Sequence, residues 1–457
     1  MIDKGSFRDP AGFVFIDEGK IFRQINICAR ADYEKLMSSG LYENLVKKGL
    51  LIEHKEVKHH GFSGGYKVIE PRKVDFISYP YEWAFSQLKD AAIATLEIQK
   101  TALQHGMTLK DASAFNIQFI GSKPVLIDTL SFTIQQEGAP WVAYRQFCQH
   151  FLAPLSLMSY RDVRLQQLLK AYIDGLPLDL ASRLLPFSSH FNLPVLMHVI
   201  LHAKSQSHYA DKTIETEKAW GKMSQNALYG LVDSLAGGIH SLTLKREKSQ
   251  WGEYYNATNY SDKASAHKKE IVKEYLQIAG TTALWDLGAN TGVYSRIATD
   301  MNISTIAFDC DFNAVEQNYL NARKQKNRYL LPLLLDLNNP SPAIGWQNHE
   351  RKSLLERGPV DTAMALALIH HLAIANNVPL SAIAQLFASL CSKLIIEFVP
   401  KSDSQVKRLL RSREDIFNLY TEESFEHEFS RMFKIVGKKP VNDSERTIYL
   451  MEKHGNA

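Results

Sequence analysis

From Thr282 to the end of the chain, short apolar runs alternate with amphipathic stretches. The order is ALWDLG, a helix after Gly292, STIAFDCD, the helix FNAVEQNYLNARKQK, RYLLPLLLDL, a loop, DTAMALALIHH, the helix PLSAIAQLFASL, KLIIEFV, more helix, then KIVGKKPV and RTIYLMEK. Strands that are apolar on both faces need cover on both faces, which a parallel sheet clothed by helices provides. The pattern predicts a doubly wound α/β domain whose last two strands form an edge hairpin.

A chain of 457 residues exceeds one ordinary core, so more than one domain is expected. Before the alternating region the texture differs. Between Gly12 and Pro80 short β-type runs dominate (FVFI, KIFRQI, LLIEH, YKVIE, VDFIS), with a helical stretch from Ala31 to Lys48. The helix WAFSQLKDAAIATLEIQKTALQHG follows, closed by Gly106, then a second β-rich patch, NIQFIGSKPVLIDTLSF, then helices to about His208. Residues 210–250 include an amphipathic segment with a basic tail, NALYGLVDSLAGGIHSLTLKR, which reads as a linking helix with a solvated end. The expected division is an N-terminal α+β domain over 1–209, a helical connector over 210–250 and the α/β domain over 251–457.

Composition narrows the class of protein. Apolar residues at 45% and charged residues at 22% are ordinary for a soluble protein, and a net charge of +4 does not favour nucleic acid as partner. Cys28, Cys148, Cys310 and Cys391 form no CxxC pair, so they read as reduced thiols and small core residues, with no metal site expected. The first twenty residues lack the apolar run of a signal peptide, and no stretch reaches the ~18 apolar residues of a membrane helix. A cytoplasmic protein without membrane partners is the expectation.

Chemistry concentrates where the first strand of the α/β region ends. In Leu284-Trp285-Asp286-Leu287-Gly288-Ala289-Asn290-Thr291-Gly292 a strand runs into a glycine turn and a helix, and ligands in such sheets bind beyond the carboxyl ends of the strands. The spacing is not G-x-G-x-x-G. The carboxylate of Asp286 would repel a phosphate but suits an amino group. The second strand ends at Asp309, where an acid can accept from both ribose hydroxyls, and the third at Asp336, placed to accept from an adenine amine. Turn glycines and strand-end acids are each common alone. Their order on one β-α-β-α-β frame is the specific signal.

These segments resemble the class I S-adenosylmethionine-dependent methyltransferases: DLGANTG matches the first motif, FDCD the second and LLLDL the third. The resemblance implies a Rossmann-like seven-stranded domain that binds S-adenosyl-L-methionine. By it, Gly288, Ala289, Asn290 and Gly292 line the amino-acid end of the cofactor, with Asp286 nearby, Asp309 holds the ribose, Asp336 contacts the adenine, and Leu368, on the fourth strand end, faces the methyl group. Ala289-Asn290 departs from the glycine that many members carry in mid-loop. As a whole the chain resembles a bacterial family of two-part class I methyltransferases, some named as nodulation proteins. SYPYEWAFSQLKDAA, LKDASAFNIQF, PWVAYRQFCQHFLAPLSLM and LALIHHL carry that likeness. It implies fold and reaction type and leaves the acceptor open; the low net charge and the lack of a basic-aromatic stripe favour a small molecule or a protein over nucleic acid.

The fourth strand ends in Ile369-His370-His371, not in an Asn/Asp-Pro-Pro-Tyr/Phe motif. Either histidine suits a general base for a hydroxyl or ring nitrogen, His371 slightly more than His370; the alternative is that one caps the next helix and the other packs. The loop from Asp336 to Arg351 and the aromatic segment Trp251–Ser261 are candidates for specificity and for a lid, with simple packing as the alternative.

In the N-terminal region Asp111, Asn116 five residues on, and Asp128 twelve further have the spacing of a kinase catalytic loop and its metal-binding acid. The order of elements, a β-rich lobe and then helices, agrees. A glycine-rich loop and the strand lysine are not recognisable; Arg23 is the nearest cation, Leu109-Lys110 replaces His-Arg and Asp128-Thr129-Leu130 replaces Asp-Phe-Gly. A kinase-like domain that binds the acceptor or a nucleotide is therefore expected, its Asp111, Asn116 and Asp128 able to hold a metal-bridged or cationic ligand. A bifunctional kinase/methyltransferase and a non-catalytic adapter are the alternatives.

Overall fold

A computed structural model describes residues 1–204, 223–244, 261–411 and 413–455. The chain divides into two compact units, Met1–Lys245 with Ile344–Arg351, and Arg246–Ala343 with Lys352–Ala457. The aromatic segment before Ser261 and the basic tail after Leu244 lie outside the described residues.

The first unit opens with β1 (Gly12–Asp17) and β2 (Lys20–Asn26), joined by Glu18-Gly19, both at positive φ, the backbone that a two-residue hairpin needs. Helices α1 (Arg30–Ser38) and α2 (Leu41–Lys48) follow, separated at Gly40, whose φ of 76° breaks what the sequence presents as one helical stretch. With β3 (His54–Val57) and β4 (Gly65–Pro71) the sheet has the antiparallel order β1-β2-β4-β3. VDFIS is not a strand. Its Ser78 N–H donates to the side chain of Gln118 (2.8 Å) and its carbonyl accepts from the same amide, so a buried side chain takes the bonds a ladder would use. The long buried helix α3 (Phe85–Gln104) leads to two antiparallel pairs, β5 (Met107–Leu109) with β8 (Phe132–Ile134), and β6 (Ile117–Ile120) with β7 (Lys123–Leu126). Helical segments complete the unit.

The helix expected to link two domains, α4 (Gln225–Ser241), is packed into this first unit. Its Leu228, Val232, Leu235 and Ile239 are buried, Lys100 of α3 pairs with Asp233 at 2.7 Å, and a Cβ at Gly238 would meet Pro194 at 2.6 Å. An apolar stripe of that width needs a partner surface, so the contact boundary falls after the helix, at Lys245.

The second unit carries a seven-stranded sheet of order β11-β10-β9-β12-β13-β15-β14. Its strands are β9 (Ala283–Leu287), β10 (Ser304–Asp309), β11 (Leu330–Leu334), β12 (Val360–Ala365), β13 (Cys391–Phe398), β14 (Phe433–Pro440) and β15 (Thr447–Lys453). β9 to β13 are parallel and β15 is antiparallel to β13. β11 is buried throughout, as its continuous apolar run requires, while β14 alternates, as an edge strand with one solvent face does. The hairpin is at the edge, but its second strand turns inward to pair with β13, which is why RTIYLMEK is apolar for most of its length. Helices α5 (Asp262–Ile278), α6 (Val293–Asp300), α7 (Phe312–Lys324), α8 (Leu380–Leu390), α9 (Ser404–Leu410) and α10 (Glu422–Ser430) belong to the same unit. Order reverses between β9 and β12, which puts a ligand crevice beyond the carboxyl end of β9.

Cys148 and Cys391 are buried, as small core residues are; Cys28 and Cys310 are exposed, contrary to the expectation. Cys310 follows Asp309 at the end of its strand, where the chain leaves the sheet core. Among the described residues no helix is long and apolar enough to cross a membrane.

Candidate functional site

At that switch point β9 runs out at Leu287, and the next residues turn sharply. Gly288 has φ 82° and Asn290 φ 50°, and Gly292, at φ 76°, starts α6. A Cβ on Gly292 would sit 2.3 Å from the Asn318 side chain, which would have to move, and the positive φ strains any residue with a Cβ there. The turn is stitched to β10: Gly288 and Ala289 N–H both donate to the Phe308 carbonyl at 2.9 Å, and Asn290 N–H donates to Asp309 Oδ2 at 2.7 Å.

A cavity of about 320 Å³ opens beside this turn, within the size range of small-molecule sites. The structure brings Asp286, Gly288, Ala289, Asn290, Asp309, Asp336, Leu368 and His371 together on its wall. Gly292 and His370 are not on it. Gly292 shapes the helix start, and His370 is fully buried, with neither ring nitrogen hydrogen-bonded. The two histidine rings are 4.1 Å apart at their centroids. Asp336 is exposed at the rim, where its Oδ1 accepts from the Asn338 amide at 2.9 Å.

The carboxylates carry the electrostatics. Burial pushes Asp286 up to about 7, opposed by a hydrogen bond from Ser295 and reinforced by the charge of Asp309. Asp309 is raised to about 6 by burial, against the stabilising amide bonds from Asp311 and Asn290. Burial thus disfavours the charged form of both acids, and a cationic ligand beside them would favour it. His371 is lowered to about 4 by burial and then by Arg446, so it is neutral at pH 7 and able to accept a proton.

Sequence reasoning missed a buried charged network beside this wall. Lys268, on α5 and lining the cavity, donates to Glu397 Oε2 at 2.7 Å; both are almost fully buried. The same oxygen accepts from Ala367 N–H at 2.6 Å and lies 4.0 Å from Arg446, which is itself paired with Asp403 at 2.8 Å. Two signals were present. Lys268 interrupts the buried stripe Ala264, Ile271, Val272, Tyr275, and Glu397 is the one acid in the apolar run KLIIEFV.

In the first unit Asn116 and Asp128 are drawn together through Ser131: Asn116 Nδ2 donates to its Oγ at 3.3 Å, and that hydroxyl donates to Asp128 Oδ2 at 2.7 Å. Arg23 meets Asp128 Oδ1 at 2.7 Å, and Leu130 N–H donates to the same carboxylate. Asp111 accepts from Ser113 N–H at 2.9 Å and shapes its own turn. Among the described residues there is no group of three or more His, Cys, Asp or Glu able to hold a metal ion. The loop expected to carry specificity divides: Asp336 to Asn338 line the cavity, whereas Ile344–Arg351 count with the first unit. There Arg8 makes two bonds of 2.7 Å to Glu350, and Arg351 lies 4.4 Å above the Phe115 ring.

Comparison of the whole chain with known proteins gives one decisive match. The nodulation protein NoeA of Rhizobium meliloti (strain 1021) is 35% identical over 460 residues, covering 98% of this chain and 95% of the relative. The chain belongs to the NoeA family. No family model matches the chain. Solved structures with partial likeness to this chain include the bifunctional kinase-methyltransferase WbdD, 13% identical over 45% of this chain and 43% of that one, with a TM-score of 0.30. Magnesium protoporphyrin IX methyltransferase (ChlM) from Synechocystis PCC 6803, crystallised with bound SAH, is 16% identical over 45% of this chain and 93% of that one, with a TM-score of 0.31. Likenesses this distant carry no weight for the chemistry of the site, which rests on the strand order and the cavity of this chain.

Proposed function

We propose that this NoeA-family protein is an S-adenosylmethionine-dependent methyltransferase of class I. The observation that carries the reading is the pair of buried acids, Asp286 and Asp309, facing one cavity at the glycine turn of a doubly wound sheet. The donor set fits this cofactor. An acid beside the turn suits its amino group, a second at the end of β10 suits two ribose hydroxyls, and Asp336 at the rim suits the adenine amine. When bound, S-adenosylmethionine supplies an electrophilic methyl group on a positively charged sulfur.

The chain's own residues do the rest. Gly288, Ala289 and Asn290 bring backbone close to the amino-acid end, while Leu368 covers the methyl-bearing side with apolar surface and excludes water. His371, neutral and on the wall, accepts the proton that the acceptor's nucleophile loses. His370 supports it from behind. The acceptor is a small molecule or a protein, since net charge is low and no basic-aromatic stripe calls for nucleic acid.

For the N-terminal unit we infer a kinase-like module that binds and presents a ligand without transferring phosphate. Asp128 supports this reading: its carboxylate is committed to Arg23, Leu130 and Ser131, where metal-assisted phosphate transfer needs it on a cation. Incubating cell extract with the protein and methyl-labelled cofactor tests the function. A labelled small molecule or protein, absent with Asp309→Ala, is expected; labelled RNA alone refutes the acceptor class, and no label in any fraction refutes the activity.

A further inference from the structure

Ala367 has φ 51°, a left-handed backbone that residues with a Cβ adopt rarely and that persists where the surroundings hold it. The turn it makes ends β12 and carries Leu368 and His371 onto the cavity wall. What holds it is a hydrogen bond of 2.6 Å from its N–H to Glu397 Oε2, on the neighbouring strand β13.

Glu397 is itself costly to place there. Its neighbours Ile395, Ile396 and Phe398 are apolar and buried, and a lone carboxylate in such a core would be severely destabilising. Lys268 at 2.7 Å and Arg446 at 4.0 Å offset that burial. A buried ion pair is a weak stabiliser compared with apolar side chains of the same volume, so core stability alone gives little reason for it. Its reach gives a better one. Lys268 lies on α5, whose Ser265 also lines the cavity, and Arg446 bonds Asp403, whose carboxylate caps α9 at Gln405 N–H. Leu409 of α9 is a third part of the wall. One buried network therefore touches three elements that bound the same cavity.

We propose that Glu397 is a positioning residue, which through the Ala367 N–H fixes the turn that sets Leu368 and His371 against the bound cofactor. This rests on the cofactor reading above. The Lys268 charge makes Glu397 tolerable in the core; the acceptor oxygen does the positioning.

Two double variants of the full-length protein separate these roles, Lys268→Met/Glu397→Gln and Lys268→Met/Glu397→Leu. Both remove the charge pair, but only the first keeps an acceptor for Ala367. Both are expected to melt cooperatively near the parent. Loss of Lys268 from the wall is common to both forms, and the Leu form is expected to bind the cofactor about tenfold or more weakly than the Gln form. Adding Ala367→Gly to the Leu form, which lets the turn form without help, restores most of the loss. Equal affinity in the two folded forms overturns the proposal, as does failure of the glycine to rescue. If the Leu form does not fold, single variants decide: Glu397→Gln binding better than Glu397→Asp supports positioning, and the reverse order reduces Glu397 to a counter-charge. Hydrogen exchange of the 367–371 amides in ligand-free protein is independent of the cofactor. Faster exchange in the Leu form than in the Gln form, with no cofactor bound even by the parent, would sink the cofactor reading and leave the positioning role standing.

Discussion

Asn290 N–H donates to Asp309 Oδ2 at 2.7 Å, so the acid that ends β10 also holds the turn that follows β9. The same carboxylate therefore has two tasks, shaping the glycine turn and, on the proposed function, accepting from the ribose. Asp309→Ala should weaken S-adenosylmethionine binding by about 1.5 to 3 kcal/mol through loss of a charge-assisted pair. Titration calorimetry on the folded variant measures this, and an unchanged affinity would remove Asp309 from the site.

The raised acids give a pH dependence of definite sign. A cationic ligand prefers the ionised carboxylates, so cofactor affinity should rise with pH through about 6 to 7, where Asp309 and Asp286 titrate. Stability of the ligand-free protein runs the other way. With folded values above those of the unfolded chain, the folded state binds more protons between them. The contribution of these two groups is therefore full below about 4 and lost as pH rises through 6 to 7. Melting curves and binding titrations over pH 5 to 8 should trend oppositely. Parallel trends would mean that these acids do not dominate the site.

His371→Ala should lower turnover by about a hundredfold while leaving cofactor binding close to the parent's, as loss of a general base does. Because burial holds His371 near 4, the acid limb of turnover should not come from this residue above about pH 5. His370→Ala should act chiefly on stability, since the ring is enclosed and off the cavity wall. The reverse pattern in steady-state kinetics would exchange their roles.

Gly292→Ala should be destabilising by about 1 to 3 kcal/mol, from both the positive φ and the clash with Asn318. Asn318→Ala in the same chain should recover part of that loss, the part due to the clash. No recovery in thermal melts would assign the whole cost to the backbone.

Much of this architecture was legible. DLGANTG announces a strand, a tight turn and a helix, and that is what β9, Gly288 to Gly292 and α6 form. The strand-end acids Asp286, Asp309 and Asp336, each common alone, were readable because they come in order on one β-α-β-α-β frame. Other features were not. VDFIS has a strand's composition, but Gln118, forty residues on, takes the backbone bonds of Ser78, and local pattern does not reveal a distant side chain. α4 reads as a connector because its apolar stripe is visible and its partner, α3, is not adjacent in sequence. Lys268 and Glu397 lie 129 residues apart, and each looks like an oddity in its own element until the fold pairs them.

Asp128→Ala in the N-terminal unit leaves the Arg23 guanidinium, whose side chain is 14% exposed, with the longer pairing to Asp9 at 3.9 Å. Stability should fall by about 2 to 4 kcal/mol, and methylation of the natural acceptor should fall with it while cofactor affinity holds. Magnesium-dependent transfer of labelled phosphate from ATP by the parent, abolished by Asp111→Ala, would show a working kinase instead.

Binding of S-adenosylmethionine to the full-length protein tests the central claim most directly. Calorimetry should show saturable binding at one site per chain, weakened by Asp309→Ala and strengthened between pH 6 and pH 8. A protein that melts cooperatively yet binds no cofactor at about millimolar concentration would contradict the account.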